Sequence, residues 1–167
     1  DHADFAKRYA DMDGFVAQQF DLNLFHPADA SIVMIDETGL LGLNRQPLAM
    51  GLLTGKYKGQ AQTYGEGDIR SSGADWMVYF DEKGQPKKVL LDLVQDLREI
   101  LTSSGHSLAQ GALAWNMALS DRTLPIPGCR TVAQVEDNFG VIEKGPLNSD
   151  QMEAIDVVMR DTPFWKA

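Results

Sequence analysis

Cysteine and histidine are scarce in this sequence, which contains Cys129 and three histidines. A single cysteine cannot form an intrachain disulfide, and its presence without a disulfide framework indicates a reducing compartment, for which we expect the cytoplasm. No group of cysteine, histidine and carboxylate residues has the spacing of a metal site. The composition therefore excludes a disulfide scaffold and gives no indication of a metal centre.

Long apolar runs and clustered positive charge are also lacking. No stretch of about eighteen apolar residues exists, and the amino end shows no basic segment followed by an apolar one, so we expect no transmembrane span and no signal peptide. The 15 Lys and Arg are scattered and are outnumbered by 24 Asp and Glu, giving a formal net charge of −9. We therefore expect neither nucleic acid nor a membrane surface as a partner.

The chain does have enough apolar material for one hydrophobic core. It has 167 residues with 44% hydrophobic content, which predicts a single domain covering residues 1–167. The first residue, Asp1, leads directly into a helical pattern in which Phe5, Tyr9 and Met12 share a face. We expect that the chain begins inside a larger fold, although removal of a tag would give the same start.

Short apolar runs alternate with amphipathic segments, which is typical of parallel strands joined by helices. The pattern predicts an α/β fold with about three parallel strands at residues 15–20, 40–44 and 123–126, and helices at 27–37, 86–103, 107–119, 131–141 and 149–160. Pro125 predicts an irregular or edge-like third strand, because it cannot donate to a ladder. The expected helix signals are Pro27, Gly39, a capping box of Ser107 with Gln110, and caps at Thr131 and Ser149.

Two loops stand out. Pro47, Gly51 and Gly55 predict a shaped loop over residues 45–57. Residues 58–84 carry five glycines and predict a long surface loop, which we expect Trp76, Tyr79 and Phe80 to hold against the body of the domain.

The end of the third strand has the features of an anion site. Pro127 and Gly128 turn the backbone, Thr131 opens a helix with free amides, and Arg130 adds a fixed cation. A guanidinium–phosphate hydrogen bond is worth roughly 1.5–3 kcal/mol. The alternative is a solvent-exposed arginine after an ordinary turn.

The helix that follows carries Gln134 and Asn138 four residues apart, so both lie on one face. An asparagine there can pair with a ring nitrogen and an exocyclic amine of adenine. Taken singly, each of these residue types is more often a solvated helix residue than a ligand contact.

Four stretches together resemble the aldo-keto reductase family: residues 19–23 (QFDLN), 47–57 (PLAMGLLTGKY), 108–115 (LAQGALAW) and 126–138 (IPGCRTVAQVEDN). Their order and spacing are similar to the last three strands of that family's (β/α)8 TIM barrel. The resemblance implies a partial barrel, the C-terminal part of an NADP-dependent oxidoreductase that reduces aldehydes or ketones, with NADP(H) as its cofactor.

The resemblance also implies which residues bind the cofactor. Gln19 would bond the nicotinamide carboxamide, and Arg45 would stack on the nicotinamide ring, where many relatives have Tyr or Trp. The pyrophosphate end would involve Gln46, Pro47, Leu48, Gly51 and Lys56, with Arg70 of the long loop folding over the cofactor. The adenosine end would contact Gly128, Gln134 and Asn138, with Arg130 and Asp137 as additional contacts and Cys129 as a small packing residue.

A catalytic set is not expected in this chain. Members of the family use an Asp, Tyr, Lys and His set on earlier strands, and none of those strands is present. The candidate substitutes, which we expect to be surface or packing residues, are His2, His26, His106, Tyr9, Tyr57, Tyr64 and Tyr79. A whole barrel takes about 250 residues, so the first and third strands here would each lose a neighbour.

Three hypotheses follow. The leading one is a cofactor-binding piece of an aldo-keto reductase, inactive unless the missing N-terminal half is supplied. The second is a naturally truncated protein whose open strand edges serve self-association, as a homo-oligomer, or partner binding. The third is a fragment of an active oxidoreductase.

Overall fold

The computed structural model of the chain describes residues 2–59, 61–65, 67–71, 74 and 76–165. Its sheet contains three parallel strands in the order β1, β2, β3, with β1 at Ala17–Asp21, β2 at Leu41–Arg45 and β3 at Thr123–Pro125. Gln19 pairs with Leu43, and Leu43 pairs with Leu124. The predicted α/β class with three parallel strands is confirmed, and β3 is the short edge strand that Pro125 predicts.

Helices connect and cover these strands. They are α1 His2–Tyr9, α2 Asp29–Thr38, α3 Lys88–Thr102, α4 Leu108–Leu119, α5 Val132–Phe139, α6 Val141–Lys144 and α7 Ser149–Met159, with 3-10 segments at Ala49–Thr54 and Ile69–Ser71. None of the helices in the described part of the chain is long and apolar enough to cross a membrane.

Helix α4 forms the centre of the core. Its residues from Leu108 to Asn116 are all buried, because α3, α5 and α6 pack around it. Gly111 allows the closest approach, since a Cβ there would lie 2.2 Å from the Leu101 carbonyl oxygen of α3. The predicted capping box is present at the start of α4, where Ser107 and Gln110 each bond the other's backbone.

At the other helix ends, some of the predicted caps are present and one is not. Gly39 ends α2 with a φ of 77°, and Thr131 caps α5, both as predicted. The expected cap at Ser149 is wrong. Asn148 accepts from the Gln151 amide, because Gln151 lies three residues after Asn148 and completes a capping box. Helix α5 also ends at Phe139, before Gly140, and residues 141–144 form a separate short helix.

The long loop is held to the body by three side chains. Tyr79 and Phe80 are buried as expected, whereas the expected anchor Trp76 is 55% exposed. Met77 is buried instead, because the turn at this point directs Met77 inward and leaves Trp76 at the surface. Ser72 and Gly73 of this loop lie outside the described residues, as does Asp1 at the start of the first helical pattern.

One face of the sheet is open. Along β2, Gly42 and Asn44 are buried under the helices, whereas Leu41 is 42% exposed on the opposite face. Leu124 of β3 lies on that same open face and is 50% exposed, because it pairs with Leu43. Strands β1 and β3 form the two edges of the described sheet, as predicted.

Candidate functional site

A cleft of about 470 Å³ opens between the loop after β2 and the junction after β3. Parallel strands bring their carboxyl ends to one edge of a sheet, so two segments some eighty residues apart in the chain meet there. Ten of the predicted site residues line the cleft: Gln46, Pro47, Leu48, Gly51, Lys56, Gly128, Arg130, Gln134, Asp137 and Asn138. The residues predicted for the pyrophosphate end and those predicted for the adenosine end therefore line the same cleft.

The loop that forms one wall has an unusual backbone. Gln46, Ala49 and Met50 have positive φ values of 52°, 46° and 54°, and Gly51 follows at 92°. Non-glycine residues in this region are strained, and such strain is concentrated at ligand-binding segments. The conformation is stabilised by hydrogen bonds, since Asn23 Nδ2 donates to the Gln46 carbonyl at 3.0 Å and Thr54 Oγ1 donates to the Gly51 carbonyl at 2.8 Å.

Two cations, Lys56 and Arg130, line the cleft together with one carboxylate, Asp137. The Lys56 ammonium lies 4.7 Å from the centre of the Tyr57 ring and packs over Gly51, where a Cβ would lie 2.8 Å from Nζ. Arg130 is exposed, and its backbone amide donates to Gln134 Oε1 at 2.7 Å. Two cations against one carboxylate give the cleft a net positive lining in a chain whose net charge is −9.

The opposite wall is formed by α5 and the start of α4. Asn138 is buried, and its Nδ2 donates to Cys129 Sγ at 3.2 Å, a weak acceptor. Asp137 accepts a hydrogen bond from Ser107 Oγ at 3.0 Å. Cys129 is half-buried in this turn, in agreement with a packing role.

Three predicted site residues lie outside this cleft. Gln19 and Arg45 lie on the open face of the sheet, and Arg45 is held by Asp21 through contacts of 2.9 and 3.0 Å. Arg70 lines a neighbouring cleft that Arg130 borders as well.

Arg70 is bound by side chains of its own loop and of the loop before it. Its guanidinium donates to Asp68 Oδ1 at 2.8 Å and to the Tyr57 hydroxyl at 3.0 Å, and it lies 4.4 Å from the centre of the Tyr64 ring. Hydrogen bonds from Arg70 hold the pKa of Asp68 below its ordinary value, and Asp68 in turn raises the pKa of Arg70. Burial, followed by the neighbouring Tyr57, raises the pKa of Tyr64 to about 12.

Several other residues that line the cleft were not predicted as part of the site. These are Met50, Thr54, Ser107, Leu108 and Ala109. Ser107 was identified only as a helix cap, and the clue to its second role is its position at the start of a helix that packs beside α5. The strained residue Met50 gives no sequence signal, because methionine is not a residue expected at positive φ.

Two of the candidate substitutes for catalytic residues, Tyr79 and His106, have structural contacts. The Tyr79 hydroxyl accepts from Asn23 Nδ2 at 2.9 Å, and burial raises its pKa. A ring nitrogen of the buried His106 lies 3.3 Å from the Gly145 carbonyl oxygen. Among the described residues, no group of three or more His, Cys, Asp or Glu side chains could hold a metal ion.

Comparison with known sequences finds reductases among the relatives of this chain. An aldo-keto reductase of Schizosaccharomyces pombe, yakc, whose name specifies NADP(+), is 31% identical over 124 residues, which are 74% of this chain and 34% of that protein. The chloroplastic pyridoxal reductase of Arabidopsis thaliana is 28% identical over 128 residues, which are 77% of this chain and 31% of that protein. The chain spans about a third of the length of these relatives.

Solved structures show the same fold. A glycerol dehydrogenase of Gluconobacter oxydans matches 87% of this chain and 42% of its own, with a TM-score of 0.65 and 22% identity. The holo form of an aldo-keto reductase of Bacillus halodurans matches 96% of this chain and 48% of its own, with a TM-score of 0.63 and 18% identity. The partial TIM-barrel fold is thereby established. The sequence model of the aldo/keto reductase family matches residues 2–160, and the chain belongs to that family.

Proposed function

We propose that the cleft binds the adenosine and pyrophosphate end of NADP(H), and that the whole protein is a reductase of aldehydes or ketones. The observation that carries the proposal is the meeting of Lys56 and Arg130, from segments far apart in the chain, in one cleft of about 470 Å³. That volume is in the usual range for small-molecule sites. The NADP(+) in the name of the fission yeast relative supports the same cofactor.

The residues of the cleft fit a phosphorylated nucleotide. A phosphate needs cations and close backbone approach, which Arg130, Lys56 and the compact Gly51 and Gly128 supply. An added Cβ at Gly128 would meet nothing within 4 Å, so the backbone there is open to a ligand. Arg130 is the residue we assign to the 2′-phosphate.

The adenine would lie against α5. The Asn138 amide now donates to a thiol, a weak acceptor that an adenine ring nitrogen would replace at little cost. Gln134 and Asp137 would form the edge of the same subsite. Gln19 and Arg45, on the open face of the sheet, would approach the nicotinamide end.

NADPH, when bound, supplies a hydride to a carbonyl carbon. The residues assigned here bind and orient the dinucleotide, and we assign no catalytic residue to this chain. The proton donor and the substrate pocket belong, in this proposal, to strands supplied by the rest of the barrel.

A titration of NADPH followed by its fluorescence tests the proposal. We expect the emission to change on addition of the protein, and Arg130→Gln to weaken binding about tenfold or more, because a charged hydrogen bond is worth about 1.5–3 kcal/mol. Arg160→Gln, at the C-terminal end of α7, is the matched control and should bind as the unmodified chain does. An unchanged NADPH emission, or equal losses in the two variants, would refute the assignment.

A second candidate function is self-association through the open sheet. Leu41 and Leu124 expose apolar surface on one face, and β1 and β3 present strand edges in the described sheet. Such edges favour pairing with another chain. A homo-oligomer, or a complex with the N-terminal half of a barrel, would cover this face.

A further inference from the structure

We infer that Gln110 is a positioning residue for the adenosine subsite, an inference that rests on the proposed function. Its side chain joins three elements. Nε2 donates to the Asp137 carbonyl at 2.7 Å in α5, while Oε1 accepts from the Ser107 amide at 2.9 Å and from Lys144 Nζ at 2.6 Å. Gln110 is 6% exposed, so its own side chain is largely shielded from water.

The connection to the cleft is short. Asp137 lines the cleft, and its neighbour Asn138 is the residue assigned to adenine. Gln110 holds the main chain of Asp137, and Ser107 Oγ holds its carboxylate at 3.0 Å. The position of the adenine-facing turn of α5 is therefore set by the first turn of α4.

Neighbouring residues restrict the position of the Gln110 side chain. A Cβ on Gly140, at the junction of α5 and α6, would lie 2.7 Å from Gln110 Nε2, so glycine there leaves room for the Gln110 side chain. Lys144 also donates to the Gly105 carbonyl, which ties α6 to the loop before α4. A change at Gln110 would be transmitted to α5, because Gln110 donates directly to its main chain.

A second capping box in the same chain provides a control. Gln151 occupies the equivalent position in α7, is 7% exposed, and accepts from the Asn148 amide at 3.0 Å. Its Nε2 donates to the Ile100 carbonyl of α3 at 3.1 Å, and none of these residues lines the cleft. Gln110 and Gln151 thus perform the same structural task, but only Gln110 is joined to the proposed site.

The experiment compares Gln110→Glu with Gln151→Glu. Each change keeps an acceptor for the cap amide and removes the donor to a carbonyl on the neighbouring helix. The probe is adenosine 2′,5′-bisphosphate, which contains only the adenosine end, and its dissociation constant is measured by calorimetry alongside the thermal midpoint of each variant. We expect Gln110→Glu to weaken binding about three- to tenfold, and Gln151→Glu to leave binding within about twofold of the unmodified chain.

A third variant keeps the test valid if Gln110→Glu fails to fold. Lys144 is exposed, so Lys144→Gln should fold and still weaken binding by about twofold or more, because it removes a contact to Gln110 Oε1. Equal losses in the Gln110 and Gln151 variants, or unchanged binding in the Gln110 and Lys144 variants, would overturn the positioning role. Absence of binding by the unmodified chain would overturn the proposed function, and this inference with it.

Discussion

At the residue scale, the shape of the cleft depends on a few residues with an uncommon backbone conformation. Gln46, Ala49 and Met50 hold positive φ values in the loop after β2, and this loop places Lys56 beside Gly51. The neighbouring cleft depends on Arg70, which is held between Asp68, Tyr57 and the Tyr64 ring. These contacts keep the long loop close to Arg130, which borders both clefts.

Tyr64 gives a pH prediction for this loop. Its pKa is raised from 10.0 to about 12, chiefly by burial, so the folded state keeps a proton that the unfolded state releases. Its contribution to stability is therefore fully present below pH 10 and is lost as the pH rises from 10 to 12.

Tyrosinate absorbance during a pH titration measures this directly. In Tyr64→Phe, the part of the absorbance change near pH 12 should disappear. Loss of a transition near pH 10 instead would show that Tyr64 ionises like an exposed tyrosine.

At the element scale, the crossing of α3 and α4 at Gly111 leaves no room for a side chain. A Cβ at this position would lie 2.2 Å from the Leu101 carbonyl oxygen, which neither helix can accommodate without moving. Gly111→Ala should therefore lower the free energy of unfolding by about 1–3 kcal/mol, as overpacking does.

Urea denaturation tests this, with Gly128→Ala as the control, because a Cβ at Gly128 meets nothing within 4 Å. The control should retain the midpoint of the unmodified chain. If both variants unfold at the same urea concentration as that chain, the contact between α3 and α4 is looser than described.

Sequence patterns predicted the elements well wherever local chemistry decides them. The Ser107 and Gln110 box, the Thr131 cap and the left-handed Gly39 follow from short-range rules, and the structure contains all three. The cap of α7 was misplaced by one residue, because Asn148 and Ser149 are both good caps and only the position of Gln151 decides between them.

Other features depend on tertiary contacts that no local rule contains. The exposure of Trp76, the positive φ of Met50 and the bond from Ser107 to Asp137 all arise from packing between distant segments. The residues of the cleft were predicted mainly because four separate stretches resemble one family. The strained loop after β2 and the hydrogen bonds around Gln110 could not be predicted in this way, because they join residues that no sequence rule relates.

At the scale of the whole molecule, one face of the described sheet is left open. Leu41 and Leu124 are 42% and 50% exposed, and β1 and β3 each have one neighbour in the described sheet. Burial of such apolar area would be favourable by about 25 cal/mol per Å². We therefore expect the isolated chain to self-associate through this face.

Sedimentation of the chain tests this expectation over a range of concentrations. The double variant Leu41→Gln with Leu124→Gln should shift the distribution toward the monomer. Val157→Gln, an exposed position on α7, is the control and should leave the distribution unchanged. A strictly monomeric mass for the unmodified chain would contradict self-association.

The central claim is that the cleft recognises a 2′-phosphorylated adenosine, and calorimetry with two ligands tests it most directly. The ligands are adenosine 2′,5′-bisphosphate and adenosine 5′-monophosphate, titrated into the chain at one fixed salt concentration, because screening affects such contacts. We predict binding about tenfold or more tighter for the bisphosphate, because only this ligand carries the 2′-phosphate that we assign to Arg130. Equal affinity for the two ligands, or no heat with either, would contradict the account.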